Sequence, residues 1–398
     1  MIKNIFSSER ELFLSTYNRI PIEISYGKGV HLFDKKGNRY LDMFSGLGVN
    51  ALGYSHPEII KAVSSQISCF GHLSNNFITD IQVLFARQLL KYSQMDKAFL
   101  TNSGTEAIET AIKIIRKIKG PTAKIFSFTN SFHGRTYGAM TLTSKSKYQK
   151  GFEPLLPNIH YLEFNNVEEL KNNFDENTAG IFVEFIQGEG GINLVSDEYI
   201  NELKKLRSRF DFILAADEIQ SGVGRTGKPF AFNYHDIKPD IITTAKAIGG
   251  GLPLGAAVVK SEFKDVFEIG KHGTTFGGNP VSCAAGLVVL NEVFENGLMN
   301  QANSTGRYLN EQLLELKILF PEQIKDIRGK GLMIGIEMFY ECSKLVEKLR
   351  EKRILANCTN SNVIRLLPPL IISKNEIDFF LFSFHEVLKE INANDIKN

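Results

Sequence analysis

Short runs of Ile, Val, Leu and Phe punctuate the middle of the chain, and the stretches between them carry apolar residues at helical spacing. Residues 98–101, 125–128, 181–185, 212–216, 241–243 and 256–259 are apolar at nearly every position. A strand exposed on one face alternates in character, whereas a strand covered on both faces does not. These six segments are therefore expected to form a buried, largely parallel sheet. Over 105–118 the apolar residues fall at Ala107, Ile108, Ala111, Ile112, Ile115 and Ile118, close to a 3.6-residue period. A second helix is expected over 198–210. Strands alternating with helices make a layered α/β unit.

The two ends read differently. Apolar positions flank Lys36-Gly37-Asn38 within 30–42, which predicts a hairpin. From about Cys283 a long apolar helix leads away from the sheet. The tail then mixes helices with strands at 331–338 and 363–367. The expected division is a large α/β domain over residues 51–285 and a smaller α+β domain drawn from both ends, residues 1–50 and 286–398. At 398 residues the chain exceeds the usual size of one core.

Composition narrows the function by exclusion. Hydrophobic content of 43% and charged content of 23% are ordinary for a soluble globular protein. A formal charge of +2 with scattered basic residues gives no electrostatic case for nucleic acid or an anionic membrane. No stretch of about 18 apolar residues could span a bilayer. The first ten residues lack an apolar core and include Glu9, so no secretory leader is expected. Cys69, Cys283, Cys342 and Cys358 lie far apart and form no metal-ligand pattern. Reduced thiols in a cytoplasmic protein, and no metal, are the expectation.

The chemistry-bearing residues fall just after the predicted strands, at the carboxyl edge where open α/β sheets bind ligands. Asn102-Ser103-Gly104-Thr105-Glu106 opens a helix after the first strand. Free N–H groups there could cradle a phosphate, though an ordinary N-cap would look the same. Phe132-His133-Gly134-Arg135 follows the second. Its aromatic could cover a flat ring, and its arginine could clamp a carboxylate. Alone, His133 reads as well as a packed histidine. Glu184 and Glu189 sit among glycines after the third and need a cationic partner if buried. Asp217 and Gln220 follow the fourth, and Lys246 the fifth. A lysine that can form a Schiff base and an acid that can keep a ring nitrogen protonated are what pyridoxal phosphate requires.

Gly222-Val223-Gly224-Arg225-Thr226-Gly227-Lys228 competes, since it matches most of a nucleotide-binding P-loop. Pro229 stands where a hydroxyl would hold magnesium, and no long helix pattern follows. A tight Gly-rich loop near the site is the preferred reading.

Taken in order, these segments resemble the class III aminotransferases of the ornithine and acetylornithine type. The resemblance extends through Gly273-Thr274-Thr275-Phe276-Gly277-Gly278-Asn279-Pro280 and Arg365-Leu366-Leu367-Pro368-Pro369. It implies a pyridoxal-phosphate fold type I enzyme, with a central, mostly parallel seven-stranded sheet flanked by helices. Lys246 would carry the Schiff base and shuttle the proton, and Asp217 would pair with the pyridine nitrogen. Ser103, Gly104 and Thr105 would hold the phosphate, Phe132 the ring face, and Gln220 the phenolic oxygen, with His133 and Glu184 nearby. Arg135 would bind a substrate carboxylate. Glu189 would pair with Arg365 while an amino donor is bound and release it to take 2-oxoglutarate. Tyr17 would help bind the donor. Thr275 would reach the phosphate of a neighbouring subunit, which implies a homodimer. Ile108 stands where many members have Asn, one turn into the phosphate helix, and a packing change is expected.

The resemblance favours N-acetylornithine as donor, within arginine biosynthesis. Ornithine, 4-aminobutyrate and succinyl-diaminopimelate are alternatives. An isomerase or decarboxylase of the same fold could share Lys246 and Asp217, and a non-catalytic binding protein could retain the fold. The Glu189/Arg365 pair argues for two alternating substrates.

Overall fold

The computed structural model describes residues 5–391. Residues 1–4, part of the segment read for a leader, and residues 392–398, at the end of the expected small domain, lie outside the described residues. A short helix, Ile5–Leu12, is followed by three antiparallel strands: β1 (Ile24–Lys28), β2 (His31–Asp34) and β3 (Arg39–Asp42). The expected hairpin is β2 and β3, with Phe33 opposite Arg39. Gly37 turns it at a φ of +80°, a conformation that glycine adopts without a Cβ penalty.

The central sheet contains β4 (Lys97–Thr101), β5 (Lys124–Phe128), β6 (Ile159–Leu162) and β7 (Thr178–Val183). A two-residue pair, β8 (Ile186–Gln187) and β9 (Asn193–Leu194), forms outside it. The sheet is completed by β10 (Ile213–Asp217), β11 (Ile241–Thr244) and β12 (Gly255–Val259). Its order is β4-β12-β11-β10-β7-β5-β6. Only β12 runs against its neighbours, β11 and β4. The apolar-run criterion misses β6. This strand lies at the sheet edge, and His160 is exposed, so its sequence is mixed.

The helix expected over 105–118 is Gly104–Lys119. Ser103 caps it by accepting from Glu106 N–H, one of the donors that a helix start leaves unpaired. Ile108 is fully buried and packs in one cluster with Ala111, Phe182 and Ile213. The departure at this position is therefore absorbed by the apolar contact between helix and sheet. The second helix spans Asp197–Arg209 and is capped by Ser196.

Beyond the sheet, the apolar helix Pro280–Leu290 starts under an Asn279 cap and widens into a π-helical turn at Asn291–Glu295. A long helix, Leu298–Leu319, follows. The strand expected at 331–338 is one arm of a hairpin, β13 (Ile324–Lys330) and β14 (Met333–Met338). Then come β15 (Ile354–Leu355), β16 (Asn357–Thr359) and β17 (Val363–Leu366), giving a second sheet in the order β13-β14-β17-β16. β15 pairs in parallel with β3, so the start of the chain is stitched to its end.

The cysteines depart from expectation. Cys342 and Cys358 form a disulfide, leaving Cys69 exposed and Cys283 buried as free thiols. The helix Ser343–Glu351 folds back so that Cys342, at its start, meets β16 with Cα atoms 5.9 Å apart. Spacing along the chain could not show this approach.

Candidate active site

A cavity of about 450 Å³ opens at the carboxyl ends of the central strands. Ser103, Gly104 and Thr105 line it after β4, and Phe132, His133 and Arg135 after β5. Glu184 and Glu189 follow β7, Asp217 and Gln220 follow β10, and Lys246 follows β11. Separate loops thus deliver the sequence-selected residues to one space. Arg365, on β17, reaches it from behind through Glu189 and Gln220. Two selected residues do not come to this cavity. Tyr17 stands 77% exposed on the segment before β1, and Thr275 is exposed beside Phe276. Tyr17 belongs to an exposed stretch, whereas the stretch around Thr275 is held by Asn75, which donates to the carbonyls of Thr274 and Gly277 at 3.1 Å, and Thr275 itself faces outward.

Lys246 begins a short 3-10 turn directly after β11 and has a φ of +49°. A non-glycine residue in that region is sparsely populated backbone, held here by surrounding structure. Burial lowers its pKa; Glu189 opposes that shift, Arg365 reinforces it, and Asp217 and Glu184 oppose it. A larger share of neutral amine near physiological pH follows.

Asp217 closes β10 and is 5% exposed. Its Oδ2 lies 2.6 Å from His133 Nδ1, and its Oδ1 accepts from Ile219 N–H at 3.0 Å. Burial alone would lower the pKa of His133, but the hydrogen bond and charge of Asp217, with help from Glu184, leave it raised. The Nε2 of His133 is buried without a partner. Glu184 accepts from Phe132 N–H and Gly188 N–H, both at 3.2 Å. Burial pushes its carboxyl upward against the pull of His133. His133, Asp217 and Glu184 thus form one buried cluster of titratable groups that lines the cavity together with Lys246.

Glu189 Oε1 lies 2.5 Å from Arg365 Nη1, and the arginine side chain is 1% exposed. The same nitrogen donates to Gln220 Oε1 at 3.1 Å, and Arg365 Nε donates to Asn357 Oδ1 at 3.3 Å. Burial would raise the pKa of Glu189, but Arg365 draws it below the usual carboxylate range. Arg135 is exposed, and its guanidinium lies 3.8 Å from the Tyr148 ring centre. Among the described residues no carboxylate pairs with it.

The start of the Gly104–Lys119 helix is tight. A Cβ on Gly104 would meet Ile219 at 2.7 Å, and one on Gly134 would meet Thr105 Oγ1 at 2.3 Å. Glycine at both positions is required by the protein's own packing around this helix start. The competing Gly-rich segment is not a phosphate cradle, because only the short turn Ala231–Tyr234 follows it. Its Arg225 is 1% exposed and donates to the carbonyls of Pro368 and Leu332, tying the loop to the C-terminal part.

Several contributors escaped the sequence reading. Val49 and Gly251-Leu252-Pro253-Leu254 line the cavity. The glycine run after Lys246 was the one visible signal for the latter. Glu109 accepts from Gly138 N–H at 2.9 Å and Ala139 N–H at 3.1 Å, bracing the segment after Arg135. Glu218 is fully buried and pushed up to about 7 by burial. It accepts from Ala231 N–H and Phe232 N–H, both at 2.9 Å, and holds the loop beyond Asp217.

Comparison with known proteins gives consistent matches. The family model described as aminotransferase class-III matches residues 13–388. An acetylornithine aminotransferase of Aquifex aeolicus is 42% identical over 380 residues, covering 94% of this chain and 99% of that protein. One of Caldanaerobacter subterraneus is 43% identical over 389 residues, covering 96% and 98%. A solved ornithine aminotransferase of Toxoplasma gondii, described with PLP at its active site, superimposes with a TM-score of 0.93 at 30% identity. That match covers 99% of this chain and 95% of the other.

Proposed function

This chain belongs to the class-III aminotransferases, and from that premise we propose that it transfers the distal amino group of N-acetylornithine to 2-oxoglutarate. The observation that carries the two-substrate reading is the ion pair between buried Arg365 and half-buried Glu189, which lines the same cavity as Lys246. One carboxylate-binding arginine can be masked for one substrate and unmasked for the other.

The cavity fits pyridoxal 5'-phosphate. A lysine amine, an acid pinned by a histidine and the start of the Gly104–Lys119 helix face one space. Ser103, Gly104 and Thr105 would hold the phosphate, Asp217 the ring nitrogen, Phe132 the ring face, Gln220 the ring oxygen and Lys246 the aldehyde. His133 and Glu184 would support Asp217. When bound, the cofactor supplies an electron-withdrawing ring that acidifies the C–H bond next to the donor nitrogen.

The chain's own residues do the rest. His133 fixes the direction of the buried Asp217 carboxyl group, aiming it at the ring-nitrogen position. The Lys246 amine, its basicity lowered by burial, takes the proton from the donor carbon and returns it one position along. Arg135 takes the donor carboxylate while Glu189 covers Arg365. In the second half, Glu189 swings aside and Arg365 takes the α-carboxylate of 2-oxoglutarate in a forked contact. Nitrogen leaves as glutamate.

The assembly is proposed to be a homodimer with Thr275 reaching the partner's phosphate site and Tyr17 contributing to donor binding. Support comes from surface chemistry. Phe77, Ile78 and Phe276 are exposed, and the half-apolar helix Pro57–Cys69 buries none of its residues. Sedimentation should give a dimer at micromolar concentration, and a fully active monomer would contradict the assignment. The division near residues 50 and 285 and a cytoplasmic, arginine-biosynthetic setting complete the reading.

The discriminating experiment compares four donors, each with 2-oxoglutarate: N-acetylornithine, ornithine, 4-aminobutyrate and succinyl-diaminopimelate. N-Acetylornithine should show the highest kcat/KM and yield one glutamate per semialdehyde. A tenfold preference for another donor would replace the substrate. Carbon dioxide release, or turnover without a keto acid, would end the transaminase reading.

A further inference from the structure

If the Glu189 carboxylate is to move on and off Arg365, something must fix the point from which it swings. Its backbone carbonyl oxygen accepts two hydrogen bonds, each 3.0 Å, from Lys145 Nζ and Thr359 Oγ1. Both lone pairs of that oxygen are thereby used. Lys145 lies beyond Arg135, on the segment after β5. Thr359 ends β16 and is 6% exposed.

The same groups hold the arginine side of the pair. Lys145 Nζ also donates to Asn360 Oδ1 at 3.3 Å. Asn360 and Ser361 turn the chain from β16 into β17 with φ of +49° and +66°. β17 carries Arg365, which stands opposite Asn357 in the register and donates to its side chain. Three segments thus meet at one carbonyl, and the hairpin that grips Glu189 also presents Arg365. Burial, with Lys147 nearby, lowers the pKa of Lys145, so its ammonium is partly desolvated to make these contacts.

We propose that Lys145 and Thr359 are positioning residues that pin the Glu189 backbone, so that its carboxylate competes with incoming carboxylates for Arg365 at a fixed high local concentration. This rests on the alternating role of Glu189 and Arg365 stated above. A tethered competitor is strong only while its tether is short and fixed. Loosening the carbonyl spreads the Glu189 carboxylate over more positions and frees Arg365. A free dicarboxylate then binds more tightly. A donor amino acid also gains access to Arg365 in the wrong orientation.

The test uses the holoenzyme and glutarate, a dicarboxylate that cannot react, with its Kd measured by calorimetry. Thr359→Val removes one donor without changing charge, Lys145→Met removes the other, and Lys145→Arg keeps a cation with donors. Thr359→Val and Lys145→Met should each lower the glutarate Kd about 3- to 10-fold, the scale of one hydrogen bond. Each should raise KM for the best of the four donors while leaving kcat within about twofold. Lys145→Arg should resemble the parent. Glu189→Gln separates the two claims. If it leaves glutarate binding unchanged, the alternating-partner reading fails. If it tightens binding while Thr359→Val and Lys145→Met behave as the parent, the alternation stands and the pin is overturned. Weaker glutarate binding in Lys145→Met alone would show a simple charge effect and also overturn it. So would an equal loss of kcat and kcat/KM in both variants without a change in glutarate affinity.

Discussion

Lys246 sits where two demands conflict. Burial penalises its ammonium, and its positive φ is a conformation that other parts of the fold must sustain. Such a residue is expected to lower the stability of the cofactor-free chain. The sign follows from linkage. Its folded pKa lies below the ordinary 10.5, so between those two values the unfolded chain binds more protons. Stability therefore rises with pH through that window, and the full penalty is present below it. Lys246→Met removes the titrating group while keeping an unbranched chain. The cofactor-free variant should melt about 1–3 °C above the parent at pH 7, with the gap closing as pH rises toward 10.5. A calorimetric scan showing equal or lower melting temperatures at pH 7 would contradict this. Asp217 and His133 show how far single residues could be read. Asp217 was legible as an acid ending an apolar run. The bond that orients it was not, because His133 lies 84 positions away in the chain.

At the scale of elements, apolar patterning found the buried strands and missed the edge. The β5 and β10 sequences are apolar almost throughout because both faces are covered, whereas β6 has Ile-His-Tyr-Leu because one side meets solvent. The hairpin of β13 and β14 was half visible, since Ile324-Lys325-Asp326-Ile327-Arg328 mixes charge into a partly exposed strand. Close element packing also hides in glycine. Gly306 lies inside the helix Leu298–Leu319, where alanine would ordinarily stabilise by about 1 kcal/mol. A Cβ there would sit 2.1 Å from the backbone oxygen of Gly331, at the turn between β13 and β14. Backbone cannot yield as a side chain tip can. Gly306→Ala is expected to destabilise by about 1–3 kcal/mol, opposite to helix propensity, read as a lower urea midpoint. An unchanged or higher midpoint would show that helix and hairpin can separate at no cost.

For the whole molecule, the sequence order of the loops proved to be their order of service at one cavity. Residues from Ser103 to Lys246 converge because a parallel sheet turns successive strand ends to the same edge. Contacts between separate elements were the illegible remainder: the pairing of β3 with β15, the Cys342–Cys358 disulfide, and the Lys145 contact to Glu189. The first depends on how the end of the chain folds back on its start, and the other two on how a helix or loop returns to a strand or loop, none of which a local pattern encodes. The account as a whole requires the amine at position 246 to be the attachment point for pyridoxal phosphate. An absorption spectrum of the purified protein given that cofactor tests it most directly. The expected result is a band near ~420 nm that N-acetylornithine with no keto acid bleaches, and that is missing from Lys246→Ala under the same treatment. The same band in Lys246→Ala, or none in the parent, would contradict it.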